Sequence, residues 1–159
     1  MILPGGTPTF RSEREARPAN LSSASAKAPF SKAATMILGI GTDLLDVARM
    51  QKELTREGGG FRDDVFTPAE IAYCEAMRRP ARHFAARFAA KEALLKALGG
   101  RVPLGSLQEV EVERRGDAPP RLVLHGRVKH AAESLGVTEV LVSISHTDTL
   151  ASASVVLQG

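Results

Sequence analysis

Four charged residues, Arg87, Lys91, Glu92 and Lys96, crowd the stretch ARFAAKEALLKALGG at 86–100, whose other members are Ala, Phe, Leu and two closing glycines. On a helical wheel of about 100° per residue with Phe84 at zero, Phe88, Leu95 and Leu98 fall within about 40° and form a core stripe. Lys91 falls about 20° from that stripe and Arg87 about 60° away, while Glu92 and Lys96 lie at about 80° and 120° on one flank. Ala85 and Ala89 give that flank a flat floor. As a bare i, i+4 pair, Glu92 and Lys96 are worth only about 0.3–0.5 kcal/mol. Lys91 is harder to place, because a lysine beside a Phe/Leu stripe must either snorkel out or face an anion. A flat alanine face among cations admits a phosphate-bearing ligand. A carboxylate there is useful when a divalent cation lies between it and the phosphates.

Such a cation calls for a second carboxylate, and Asp43 is the candidate. It follows GIGT at the mouth of a strand, where small residues let a ligand approach the backbone. Aspartate after a strand is also an ordinary turn residue. His146, in SISHT at 143–147, ends a strand whose inward positions are Val142 and Ile144. It is placed to meet a ligand at neutral pH, or to sit exposed in a hairpin. His83, His125 and His130 offer no comparable setting.

The elements that must position these groups follow from pattern. MILGIGTD (36–43) reads as a short buried strand. LDVARMQKELTRE (45–57) reads as a helix broken by GGG. TPAEIAYCEAM (67–77) opens with a capping box, Thr67 with Glu70, and Pro68 at the first helical position. Pro80 precedes the long helix of about 81–98, which Gly99–Gly100 ends. Strands at 109–115 and 121–126, a helix at 127–136 and a hairpin of strands 139–146 and 150–158 complete the chain. The order β-α-α-α-β-β-α-β-β predicts an α+β domain with a mostly antiparallel sheet.

Composition narrows the function. At 159 residues the chain suits one domain, and 43% hydrophobic residues with no Trp imply a core of Ala, Val, Leu and Ile. One cysteine, Cys74, excludes an intramolecular disulfide framework and a cysteine-based zinc site. A reducing, cytoplasmic setting fits. No apolar run reaches the roughly 20 residues of a membrane span. Residues 1–35 hold five basic and two acidic residues, so the chain's net +3 resides there and 36–159 are balanced. A nucleic-acid partner, which wants a broad basic face, is disfavoured. Rich in Pro, Ser and Ala, residues 1–35 read as a disordered extension before a domain at 36–159. It is either a targeting segment or an extension upstream of a start at Met36.

Taken together and in order, these motifs resemble the holo-acyl-carrier-protein synthases of the 4'-phosphopantetheinyl transferase superfamily, over residues 36–158. GIGTDLLDVARM is similar to the family's glycine-x-aspartate followed by an arginine, here Gly41, Asp43 and Arg49. FTPAEIAYC (66–74) is similar to its Phe-Thr-x-x-Glu segment. RFAAKEALLKALG (87–99) resembles its most diagnostic motif, and SISHTDTLASASVVL (143–157) its C-terminal hairpin. The chain departs from the family pattern at 101–112 and at Thr149–Leu150, positions that bear on adenine and 3'-phosphate binding.

The resemblance implies transfer of 4'-phosphopantetheine from coenzyme A to a serine of apo acyl carrier protein. It further implies Mg2+ held by Asp43 and Glu92, with coenzyme A phosphates met by Lys96 and His146 and by Arg87 and Lys91. By the same resemblance Arg49 meets the carrier protein, and the length of the body fits the family's small, single-repeat class, which is homotrimeric. Glu92, Lys96 and His146 carry the catalytic roles. Two alternatives are a non-catalytic binder of acidic carrier-like proteins and a different magnesium-dependent nucleotide enzyme. The first is disfavoured by Asp43 and Glu92, which would repel an acidic partner. The second lacks a P-loop or dinucleotide fingerprint.

Overall fold

A computed structural model describes residues 36–58, 60–102, 105–116 and 118–159. The expectation of disorder over 1–35 lies outside these described residues. Strand β1 (Ile37–Asp46) leads into helices α1 (Val47–Leu54), α2 (Phe61–Val65), α3 (Pro68–Glu75) and α4 (Pro80–Ala97). A 3-10 turn at Leu107–Glu109 opens β2 (Val110–Glu113), followed by β3 (Arg121–Leu124) and α5 (Gly126–Ser134). The chain closes with the hairpin β4 (Glu139–His146) and β5 (Leu150–Gln158). The α+β order is the expected one with one added short helix, α2, and every strand pairing is antiparallel. The strands form two sheets, a three-stranded β1-β5-β4 and a two-stranded β2-β3.

β1 runs three residues beyond the expected 36–43. Leu44, Leu45 and Asp46 pair with Ser152, Ala151 and Leu150 of β5. That pairing holds residues 44–46 extended, so α1 starts at Val47, with Asp46 as its cap accepting from the Arg49 N–H at 3.0 Å. The capping box of α3 forms as the sequence predicts, between Thr67 and Glu70.

The large sheet has two unlike faces. Alternation turns Val140, Val142, Ile144 of β4, Ala151, Ala153, Val155, Leu157 of β5 and Leu45 of β1 toward α4. α4 meets them with alanines, Ala85, Ala86, Ala89, Ala90, Ala93 and Ala97, all buried. So small a surface lets the helix sink close to the sheet. Gly39 and Gly41 complete the fit: a Cβ on Gly41 would lie 2.0 Å from the Ala93 carbonyl oxygen, and one on Gly39 2.1 Å from that of Ala97. Only glycine admits that approach. The outward face carries Ile40, Leu44 and Leu141, all exposed.

Candidate active site

α4 lies over the central strand β5, so one of its flanks faces β1 and the other faces β4. On the β1 flank, the glycine-permitted contact brings Asp43 under the last turns of the helix. Lys96 Nζ donates to Asp43 Oδ1 at 2.7 Å and to the Thr42 carbonyl at 3.1 Å. Glu92, one turn before Lys96, is half-buried. Burial raises its carboxyl pKa above the ordinary value, the Asp43 carboxylate adds to the rise, and Lys96 opposes it. A carboxylate whose charge is disfavoured by a neighbouring carboxylate suits a divalent cation between the two. No group of three or more His, Cys, Asp or Glu exists among the described residues, so these two form no protein-only cage. They fit the magnesium habit of binding one or two carboxylates and completing its shell from water and substrate phosphates.

On the β4 flank lies a cleft of about 310 Å3, lined by Tyr73, His83, Arg87, Arg114, Pro119 and His146 among others. The Arg87 guanidinium stacks over the Tyr73 ring at 4.0 Å and donates from Nη1 to the His83 carbonyl at 3.5 Å. Its Nε is buried with no hydrogen-bond partner. The rings of His83 and His146 meet edge to face, 5.2 Å between centroids. Burial lowers the His83 pKa, and His146, Arg87, Arg82 and Arg114 lower it further. The β4–β5 turn is fixed by Asp148, which pairs with Arg79 at 2.7 Å and Arg82 at 2.6 Å. Those two guanidiniums hold its carboxyl below the usual carboxylate range. His146 itself is held by the ladder, opposite Ala151 of β5, and the clamp ties the following turn to the start of α4.

The structure corrects one sequence expectation and separates others. Lys91 faces no ligand. It is wholly buried, and its ammonium pairs with Glu70 at 2.6 Å and donates to the carbonyls of Val65 at 2.8 Å and Leu107 at 3.0 Å. Burial pulls its pKa down while Glu70 opposes the drop. Its anion is internal: Glu70 also receives the Val112 N–H and caps α3. Arg87 does face a cleft, which Glu92 does not line. Asp43, Glu92 and Lys96 come together, as do Arg87 and His146, yet the two groups are on opposite flanks of α4. Lys96 and His146 therefore do not meet within one chain.

Arg49 is exposed on α1, beside a hollow of about 80 Å3 walled by Leu45, Met50, Phe61 and Phe88 among others. His83 was missed from sequence, although its position four residues before Arg87 puts both on one helix flank. A larger cavity of about 620 Å3 lies between Arg101 and α5. None of the candidate residues lines it, and the backbone N–H groups of Arg127 and Val128 that open α5 are already bonded to Glu109.

Comparison with known proteins agrees across sequence and structure. The family described as "ACPS: 4'-phosphopantetheinyl transferase superfamily" matches residues 39–151. The holo-[acyl-carrier-protein] synthase of Moorella thermoacetica is 43% identical over 117 residues, covering 74% of this chain and 91% of that protein. That of Anaeromyxobacter dehalogenans strain 2CP-1 is 45% identical over 127 residues, covering 78% and 98%. Among solved structures, the Neisseria meningitidis holo-[acyl-carrier-protein] synthase superposes with a TM-score of 0.69 at 29% identity, covering 77% of this chain and 98% of that one. The Chronobacterium ammoniagenes ACPS-CoA complex superposes with a TM-score of 0.67 at 30% identity, covering 79% and 98%.

Proposed function

The chain belongs to the 4'-phosphopantetheinyl transferase superfamily, and on that premise we infer that it is a holo-acyl-carrier-protein synthase. It transfers 4'-phosphopantetheine from coenzyme A to a serine hydroxyl of apo acyl carrier protein and releases adenosine 3',5'-bisphosphate. The observation that carries this reading is the meeting of Asp43, Glu92 and Lys96 at the β1–α4 contact, within the motif that the family shares.

In our reading Asp43 and Glu92 hold Mg2+, which when bound draws charge from the pyrophosphate of coenzyme A. Lys96, whose ammonium lies 2.7 Å from Asp43 Oδ1, adds positive charge where the leaving phosphate becomes more anionic. The serine oxygen forms its bond to the phosphorus that bears pantetheine, and the bond from that phosphorus to the departing bisphosphate breaks. Glu92, or a water that it orients, would take the serine proton. Arg49, exposed on α1, is assigned to the acidic carrier protein. The cytoplasm is the setting we assign, in keeping with one buried thiol, Cys74, and no disulfide. Among the described residues no helix is long and apolar enough to cross a membrane.

The same reading assigns the active protein as a homotrimer. A helix about 10 Å thick separates the β1-flank carboxylates from the β4-flank cleft, an arrangement that suits a coenzyme A bound between two copies. Ile40 and Leu44, 67% and 65% exposed on the outward sheet face, supply an apolar surface for such contact. The test is direct: protein, magnesium, coenzyme A and an apo carrier protein are mixed, and the carrier is weighed by mass spectrometry. Gain of one phosphopantetheine is expected. An unchanged carrier under conditions where coenzyme A binds would overturn the assignment.

A further inference from the structure

The β4-flank cleft holds more positive charge than its two sequence-predicted residues supply. His83 sits on its floor with Tyr73 of α3 6.1 Å away and His146 of β4 5.2 Å away, both edge to face. Arg82 and Arg87 face it from its own helix, and Arg114, just past β2, faces it from across the cleft. Asp148, two residues past His146, is engaged by Arg79 and Arg82. Three guanidiniums, those of Arg87, Arg82 and Arg114, act on His83 and disfavour its charged form. Cations around an imidazole disfavour its protonated form, and an anion bound beside it favours that form. The Arg87 guanidinium, stacked on the Tyr73 ring at 4.0 Å, is a cation held in place at the same cleft.

We propose that His83 is a second phosphate-binding imidazole, neutral in the free protein, which takes a proton from solvent as a phosphate of coenzyme A enters and donates to it beside His146 and Arg87. The proposal rests on the coenzyme A reading above. No bond to phosphorus changes in this step. Because the bound form carries the extra proton, coenzyme A binds more tightly as pH falls toward the value at which His83 titrates in the free protein. The lowered pKa of free His83 has the direction this coupling requires.

Calorimetric titration of the full chain with coenzyme A, in two buffers of different ionisation enthalpy, counts the protons taken up. Uptake is expected for the wild type and should shrink for His83→Gln. That variant should bind coenzyme A about tenfold more weakly at pH 6.5, the size of one lost charge-assisted hydrogen bond, and should converge with the wild type near pH 9. Should His83→Gln fold poorly, histidine ring 15N spectra of the wild type give the answer without it. One ring, identified as His83 through a variant spectrum or its contacts with His146 and Tyr73, should change from neutral to protonated on adding coenzyme A at pH 7.5. Equal proton counts in both proteins, or a His83 ring that stays neutral when coenzyme A is bound, would overturn the proposal and leave the enzyme assignment standing. Failure of the wild type to bind coenzyme A at all would remove that assignment too. Repeating the titration with 3'-dephospho-coenzyme A tells which phosphate His83 meets: uptake disappears if it is the 3'-phosphate and persists if it is the pyrophosphate.

Discussion

Gln at position 92 keeps the volume and helix propensity of glutamate and removes only the charge. Glu92→Gln should leave the thermal midpoint nearly unchanged and lower turnover at limiting magnesium at least about a hundredfold, the usual size of losing acid–base help. Mass analysis of the carrier product checks it; wild-type turnover would reduce Glu92 to half of a surface pair. Lys91 calls for the opposite test. Lys91→Met strands the Glu70 carboxylate in the core, and a loss of about 3–5 kcal/mol in urea unfolding is expected. Adding Glu70→Gln, which preserves the capping box, should recover part of that loss. These two neighbours also mark what was legible at this scale. Helical spacing gave the direction of each side chain correctly, including the placing of Lys91 beside the buried stripe. It could not name the partner, because Glu70 is 21 positions away and meets Lys91 only through tertiary packing. His83 was passed over for the same reason, since the ring it touches belongs to a strand 63 residues later.

Among the elements, the contact of β1 with α4 decides whether Asp43 reaches Glu92. Gly41→Ala puts a methyl group 2.0 Å from a backbone oxygen and 2.7 Å from the Ala97 nitrogen. The strand must lift, at a cost of about 1–3 kcal/mol, and turnover should fall beyond what the lower stability explains. Activity measured well below the melting transition separates the two effects. The β4–β5 turn should respond differently. Asp148→Asn breaks exposed pairs, which contribute little to stability, so the thermal midpoint should hold. The coenzyme A Kd should nonetheless rise several-fold as the turn after His146 loses its tie to α4. Periodicity and turn chemistry gave the long helix, the capping box and the terminal hairpin. The end of β1 was misread as the start of a helix because pairing with β5, over a hundred residues away in sequence, overrides the local pattern at 44–46. The short α2 lies in a stretch with too few residues to show a period.

At the scale of the whole molecule, what the sequence could not show was the division of the site. A wheel gives angles around one helix, and the meaning of opposite flanks emerged only once β1 and β4 occupied opposite edges of the sheet. The division is testable by mixing defects. Glu92→Gln and His146→Ala chains, each impaired alone, should regain activity when coexpressed, because some centres then draw an intact flank from each. If both residues served one chain's own centre, mixing would restore nothing. The reach of α4 has a further consequence. In the proposed ring α4 would wall one centre with Glu92 and the next with His83 and Arg87, as a shared beam. In that ring a tilt of α4 that tightens one centre should reach its neighbour, so coenzyme A should fill the three centres in a manner that depends on occupancy, and a binding isotherm that follows a single-site curve would exclude the coupling.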